Sequence, residues 1–359
     1  MGQGWWRGPA AGSPECQEAL DGAGVMIGPP LPDGSCRYRL TDSRGHLTRL
    51  AAGPVDDPWC RAHWIAARLQ AAIDAEGAAP PPPAFLAILN LTDDSFSDGG
   101  QLGDAAALLG AAEARIAEGA SWLDLGAEST RPGARAVPAE RQLERLLPAI
   151  EALAPLGAPL SIDTRSALVA EQCLAAGASM INDVSGLSDP AMAEIVAEAG
   201  AALCVMHSRG TPATMGQQTG YRFVLGAVID ELARPLQAAL AAGVAPAKLL
   251  VDPGIGFAKD AEQSLALLGR TRSFRALGLP VLVGPSRKSC LGAVLGERAP
   301  RDRDGATAGA AALAASQGAA MLRLHRGGEI WDAVLAAAAA ARAARALTTP
   351  ATAGWEVPA

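Results

Sequence analysis

Asp163, Asn182 and Asp252 each close a short apolar run, in PLSID, SMIND and KLLVD, so each polar side chain emerges where a buried strand would end. Acceptors placed there are costly unless a donor meets them. Two carboxylates and one amide suit a flat heterocycle that offers adjacent N–H and amino donors beside a carbonyl, as a guanine-like or pterin ring does. A plainer reading is open for each residue alone: Asp and Asn cap helix starts, and either Asp can pair with Lys288. Cations come from other segments: Arg131 beside Ser129 and Thr130 in ESTRPG, Arg287 and Lys288 in GPSRKS, and Arg323, His325 and Arg326 in MLRLHRGG. Set beside hydroxyls and helix starts in a chain of net charge −7, they suit a phosphate or pyrophosphate. Asn90 and the hydroxyls after it in NLTDDSFSDGG would then hold a Mg2+ on that pyrophosphate, because Mg2+ takes few protein oxygens and keeps several from phosphate and water.

What must position these residues is a repeating unit. Eight apolar runs, AFLAILN, SWLDLG, PLSID, SMIND, ALCVMH, KLLVD, PVLVG and AMLRL, alternate with alanine-rich stretches of helical period such as GDAAALLGAAEARIAEGA and AERQLERLLPAIEALA. A last helix is predicted from Glu329 to Ala346. Strand-then-helix units imply an α/β fold of parallel strands joined by crossovers. Eight of them over residues 85–346 match a (β/α)8 TIM barrel, for which about 250 residues is typical. A doubly wound open sheet is the alternative, but no Gly-x-Gly-x-x-Gly turn follows the first strand. In a barrel, chemistry sits on the loops leaving the C-terminal strand ends. Those ends read as Asn90, Asp124, Asp163, Asn182 with Asp183, His207, Asp252, Gly284, and Arg323 with His325.

Residues 1–79 form an N-terminal extension, in which CRYRLTDSRGHLTRLAAG predicts a hairpin and DPWCRAHWIAARLQAAIDAEG a helix. Residues 80–84 are a proline-rich connector, and residues 347–359 a C-terminal tail. Half the 359 residues are hydrophobic, enough for a sizeable core, while the acidic balance argues against nucleic-acid or acidic-membrane partners. Six cysteines without metal-ligand or framework spacing read as reduced thiols, and with no leader or membrane span apparent a cytoplasmic location is expected.

ILNLTDDSFSDGG, DLGAESTRPGA, SID, INDVSG, VMHSRG, LLVDPGIGFAK, LVGPSRKS and LRLH occur in the order and spacing of the bacterial dihydropteroate synthase family, and the resemblance spans Phe85 to Ala346. It implies a pterin-binding barrel joining 6-hydroxymethyl-7,8-dihydropterin pyrophosphate to para-aminobenzoate by a dissociative displacement, and a homodimer. Carried onto this sequence, Asp163, Asn182, Met206, Asp252, Phe257, Lys288 and Arg323 resemble the pterin set, with Arg323 stacked on the ring. Asn90, Thr130, Arg131, Arg323 and His325 resemble the pyrophosphate set, with Asn90 also on the Mg2+. Phe96, Thr130, Pro132 and Ser289 resemble the aminobenzoate pocket, Ser289 meeting the carboxylate at a helix start. Asp98, Lys288 and Arg323 are the implied catalytic residues, and the loops holding Phe96, Asp98, Thr130 and Pro132 are expected to close over the site.

Against the family pattern, Asp93 replaces a common Pro, Ala127 a usual Gly and Ile255 a frequent Phe, and Ala258 is an alternative to Gly. RGGE follows His325 in place of Asp-Val; Arg326 there adds a cation, and the two glycines are expected to loosen the turn. Three other readings stand beside this one: a pterin-dependent methyltransferase on the same barrel, a non-catalytic pterin-binding paralogue, and an aldolase-like barrel using Lys288 as a Schiff-base lysine.

Overall fold

The structure, a computed structural model, describes residues 24–30, 36–41, 47–53, 82–91, 101–131, 133–296 and 298–348. The expected 57–77 helix, residues 80–81 of the proline connector and residues 349–359 of the C-terminal tail lie outside them, while Ala84 opens the first barrel strand and residues 347–348 extend the last helix. In the extension, β1 (Gly24–Pro30), β2 (Cys36–Thr41) and β3 (Leu47–Gly53) form a three-stranded antiparallel sheet. The β2–β3 pair, with Cys36 opposite Gly53, coincides with the segment read as a hairpin; β1 carried no such signal.

The main sheet has eight strands: β4 (Ala84–Asn90), β5 (Trp122–Gly126), β6 (Leu160–Asp163), β7 (Met180–Asp183), β8 (Ala202–Met206), β9 (Leu249–Asp252), β10 (Leu282–Val283) and β11 (Met321–Leu324). Their order is β10-β11-β4-β5-β6-β7-β8-β9 and every pair is parallel. One parallel bridge, Val251 to Val281, with the Val251 amide donating to the Pro280 carbonyl at 3.0 Å, joins the two ends and closes the barrel. Each strand falls on one of the eight apolar runs, because parallel strands covered on both faces read as nearly unbroken hydrophobic segments.

The outer layer consists of α1 (Gln101–Ala117), α2 (Ala139–Leu153), α3 (Ala167–Ala175), α4 (Met192–Glu198), α5 (Val224–Ala241), α6 (Ala261–Gly269), α7 (Ser289–Leu295), α8 (Asp304–Ser316) and α9 (Glu329–Thr348). α2 buries Gln142, Leu146, Ala149, Ile150 and Leu153, the single face that helical periodicity requires. α6 starts on a capping box between Asp260 and Gln263, and the Ser166 side chain caps α3. In α8, Thr307, Ala310, Ala311, Ala314 and Ala315 are buried, so small side chains let this helix pack closely against its neighbours.

Side chains alternate in and out along each strand. Phe85, Ala87, Leu123, Leu125, Ile162, Ile181, Leu203, Val205, Val251 and Val283 join the outer core beneath the helices. Leu86, Met180, Cys204, Leu282 and Met321, of the opposite parity, form a separate apolar cluster that fills the barrel below its C-terminal end. One step further along the same inward rows come Asp163, Asn182, Met206, Asp252, Gly284 and Arg323.

The RGGE turn is tight rather than loose. The Gly327 amide donates to Glu118 Oε2 at 2.7 Å, and the Gly328 amide to the Glu118 carbonyl at 3.3 Å. A Cβ at Gly327 would lie 2.3 Å from that carbonyl oxygen and 2.6 Å from the Phe85 ring. The glycines permit this close approach, which seats Trp331 against Phe85 with ring centroids 5.2 Å apart.

Candidate active site

Arg323 lies at the centre of the inward polar layer. From β11 its Nε donates to Asp124 Oδ2 at 2.6 Å on β5, and its Nη2 donates to Asp163 Oδ2 at 2.7 Å on β6. The second carboxylate oxygens, Asp124 Oδ1 and Asp163 Oδ1, and the side-chain oxygen of Asn182 have no hydrogen-bond partner among the described residues. Burial pushes the Asp163 carboxyl up to about 7 despite the Arg323 charge. Asp252 is also raised by burial; its Oδ1 accepts from the Gly254 amide at 2.7 Å. None of Asp163, Asn182 and Asp252 caps a helix, since Ser166, Ala191 and Asp260 hold those places.

Asp124 is not at a strand end as its place in SWLDLG suggested: it is wholly buried two residues inside β5 and works as a counter-charge for Arg323. With two edges of the guanidinium engaged, Arg323 is anchored as a bridge between carboxylates. Its expected place on the pyrophosphate is thereby reduced to its remaining Nη1 edge.

One wall of the site is apolar. Met206 and Phe257 belong to a cluster with Val184, Met215 and Ala258. The Lys288 ammonium sits 4.3 Å from the Phe257 ring centroid, and burial with the nearby Arg323 lowers its pKa to about 8 against the pull of Asp252. Lys288 lies in the turn after β10, not within a strand.

That turn is held firmly. Arg287 has φ +57°, a conformation uncommon for a non-glycine residue. Its amide donates to Thr307 Oγ1 at 3.0 Å, and its guanidinium pairs with Asp304 at 2.7 and 2.8 Å. Arg303 adds bonds to the Arg287 and Lys288 carbonyls. Arg287, read from sequence as a phosphate cation, is therefore committed to Asp304, and Arg326 is exposed with its Nη1 4.0 Å from the same carboxylate.

His325 accompanies Arg323 on the rim. The Ser286 hydroxyl accepts from the His325 backbone amide at 3.2 Å and lies 2.9 Å from Nδ1. When that hydroxyl donates to Nδ1, the ring proton sits on Nε2 and is free to donate. Burial, then the charges of Arg323, Arg287, Lys288 and Arg131, hold the imidazole down to about 3. A rim that resists one more positive charge is prepared for an anion.

Asn90 ends β4 at the same rim, partly exposed, with Thr130 partly exposed and Arg131 and Ser289 exposed. Phe96, Asp98, Pro132 and the variant Asp93 lie outside the described residues. Two other strand-end residues have structural roles. Asp183 accepts from the Ser185 amide and hydroxyl and from the Leu187 amide, and His207 joins Glu231 and Lys259. Both have the outward parity of Ile181 and Val205.

Glu128, Ser286 and Lys259 were missed from sequence. Buried Glu128 takes Arg165 in two bonds of 3.0 and 2.8 Å and the Val137 amide at 3.0 Å, pinning both ends of the segment that holds Thr130 and Arg131. Each sits inside a motif quoted above, but the partners outside its own loop are 9 to 52 residues away.

A profile of the family described as "Pterin binding enzyme" matches residues 86–325, and the chain belongs to that family. Within it, a dihydropteroate synthase from Synechocystis is 41% identical over 242 residues, covering 67% of this chain and 84% of the relative. A probable bifunctional folylpolyglutamate synthase/dihydropteroate synthase from Haloferax volcanii is 39% identical over 308 residues; the match takes in 80% of this chain but only 36% of that longer protein. A solved dihydropteroate synthase from Clostridium difficile, obtained in the presence of pteroic acid, superposes with a TM-score of 0.67 at 34% identity, covering 74% of this chain and 98% of that one.

Proposed function

We propose that the chain is a transferase that condenses 6-hydroxymethyl-7,8-dihydropterin pyrophosphate with para-aminobenzoate, releasing pyrophosphate and forming 7,8-dihydropteroate for folate synthesis. The observation that carries this is the set of unpartnered buried oxygens on Asp124, Asp163 and Asn182. Such groups are rarely left without a donor, and the N–H and amino edge of a pterin supplies them. Met206 and Phe257 would cover the ring's apolar face, and Lys288 would donate to its carbonyl side.

The pyrophosphate then extends toward His325 Nε2, Arg131 and the hydroxyl of Thr130. Asn90 offers one side-chain oxygen, and no group of three or more His, Cys, Asp or Glu suited to a metal occurs among the described residues. That donor set fits a Mg2+ that arrives on the pyrophosphate rather than a caged metal. When bound, Mg2+ would neutralise charge on the leaving group.

In the reaction the exocyclic C–O bond breaks and its electron pair leaves with pyrophosphate. The electron-rich ring supports the methylene cation, and Asp98 offsets that charge. The arylamine lone pair forms the new C–N bond, and its proton passes to Asp98 or to a phosphate oxygen. Phe96, Pro132 and Ser289 are the residues proposed to seat the aminobenzoate, and sulfonamides should compete there. Since Lys288 lies in the turn after β10 rather than within a strand, borohydride trapping of a Schiff base should fail. No helix among the described residues is long and apolar enough to cross a membrane. From the family resemblance we also propose a cytoplasmic homodimer.

The test is pyrophosphate release by purified protein given the dihydropterin pyrophosphate and Mg2+, with and without para-aminobenzoate. Release coupled to dihydropteroate supports the synthase. Tight pterin binding with no release would mark a non-catalytic paralogue instead.

A further inference from the structure

Behind the Asp252–Phe257 side of the pocket lies a buried polar network that the reaction does not use. Lys259 is 7% exposed, and its ammonium donates to the Gly254 carbonyl at 3.0 Å, the Phe257 carbonyl at 2.8 Å and His207 Nδ1 at 2.9 Å. His207, 3% exposed, places Nε2 3.0 Å from Glu231 Oε2 on α5. Glu231 also accepts from Nε and Nη2 of Arg209, whose guanidinium packs 3.8 Å from the Tyr221 ring centroid. The three donors of one ammonium thus meet three neutral acceptors, and the imidazole relays the contact to a carboxylate held in an ion pair.

This network closes around a loop of unusual backbone conformation, which also holds a Phe257 amide to Gly254 carbonyl bond of 3.0 Å and a Gly256 amide to Ser264 Oγ bond of 3.2 Å. Gly254, Gly256 and Ala258 have φ of +68°, +80° and +48°, and a Cβ at Gly254 would lie 1.9 Å from the His207 carbonyl oxygen. The two glycines adopt this region freely, but Ala258 carries a Cβ there, and such a residue persists only where its surroundings over-determine it. The two carbonyls that Lys259 binds lie near the two ends of this stretch. Asp252 accepts from the Gly254 amide, and the Asp252 carbonyl accepts from the His207 amide at 2.8 Å. The loop's fixed shape therefore sets the direction of the Asp252 carboxylate and the plane of the Phe257 ring.

We infer that Lys259, backed by His207 and Glu231, is a positioning residue for pterin binding: it locks residues 253–258 so that Asp252 and Phe257 meet the ring in one geometry. The inference rests on the pterin reading of the site. A buried ammonium is an expensive way to stabilise a loop, since an apolar side chain of similar length would avoid its desolvation. Its benefit is geometric, because three directed bonds fix a backbone where packing alone would leave it loose. Burial lowers the Lys259 pKa to about 7 against the pull of Asp252 and Glu231, in keeping with an ammonium not matched to a carboxylate of its own.

The experiment measures binding of 6-hydroxymethylpterin by calorimetry on the full chain, with steady-state KM for para-aminobenzoate at saturating pterin substrate. Lys259→Met keeps the stem and removes the donors; its pterin Kd should rise about tenfold or more while the aminobenzoate KM stays within about twofold of the parent. Glu231→Gln, which retains a contact to His207 and is gentler on folding, should shift pterin Kd the same way by a smaller factor. A role confined to stability would lower Tm without splitting the two substrates. If the parent binds pterin and folded Glu231→Gln and Lys259→Met bind it equally well, the positioning role is overturned and the function stands. If the parent itself does not bind pterin, both fall.

Discussion

The two interior layers of the barrel come from the same strands, two residues apart, and have opposite chemistry. Below, Leu86, Met180, Cys204, Leu282 and Met321 form a dry plug; above, Arg323 bridges Asp124 and Asp163 beside Asn182 and Asp252. In the plug every contact is satisfied by dispersion and loss of water, so it contributes stability without direction. In the polar layer the chain balances one guanidinium against carboxylates and, among the described residues, still leaves three acceptor oxygens without donors. The plug makes the fold possible, and the incompleteness of the layer above it makes a ligand possible.

The difference can be broken most severely from above. Arg323→Met leaves Asp124 and Asp163 facing each other uncompensated; we expect about 3–5 kcal/mol of lost stability by denaturant unfolding and at least a hundredfold loss of turnover, on the order of what removing a preorganised charge costs. Met180→Ala breaks the plug instead and should cost about 2–5 kcal/mol in the same assay. Pterin affinity per folded molecule should be unchanged, and a tenfold loss would show that the two layers are not separable.

A smaller effect is read through pH. The folded-state pKa of His325, about 3, is below its ordinary value of 6.5, so an unfolded chain takes up this proton first. Its contribution to stability is complete above about pH 6.5 and is lost as pH falls toward 3. An anion on the rim reverses the bias, so pyrophosphate binding at about pH 5 should draw in a proton, measured by calorimetry in buffers of different ionisation heat. His325→Gln should abolish that uptake. The smallest effect is expected at the border between the layers. Ser161, opposite Asp124 and Met180 in the register, has a buried hydroxyl without a partner. Ser161→Ala should leave stability unchanged or raise it by up to about 1 kcal/mol, with pterin Kd unaltered.

The strands were legible in sequence because each is a compact apolar run, whereas the roles of their last residues were not. Asn182 and Asp183 look equivalent in SMIND, yet one faces the pocket and the other ties the next turn, and only strand parity separates them. The same parity turns His207 outward to Lys259 and places Asp124 inside, since Trp122, Asp124 and Gly126 share a face. Arg287 reads as a free cation until the fold brings up Asp304, 17 residues later. Local spacing shows which residues reach the rim; it does not show which are already engaged there.

The closure of the barrel has a consequence of its own. Seven of the eight joints between neighbouring strands are ladders, but β9 and β10 meet at the single Val251–Val281 bridge, and β10 is two residues long. This is the seam where local opening should need the least free energy, so backbone amides there should exchange with solvent sooner than those of β4 to β8. The seam also divides the pocket, with Asp252 and Phe257 following one side and Lys288 the other. A ring bound between them would act as a clasp, and protection along this edge of the sheet should increase when the site is filled.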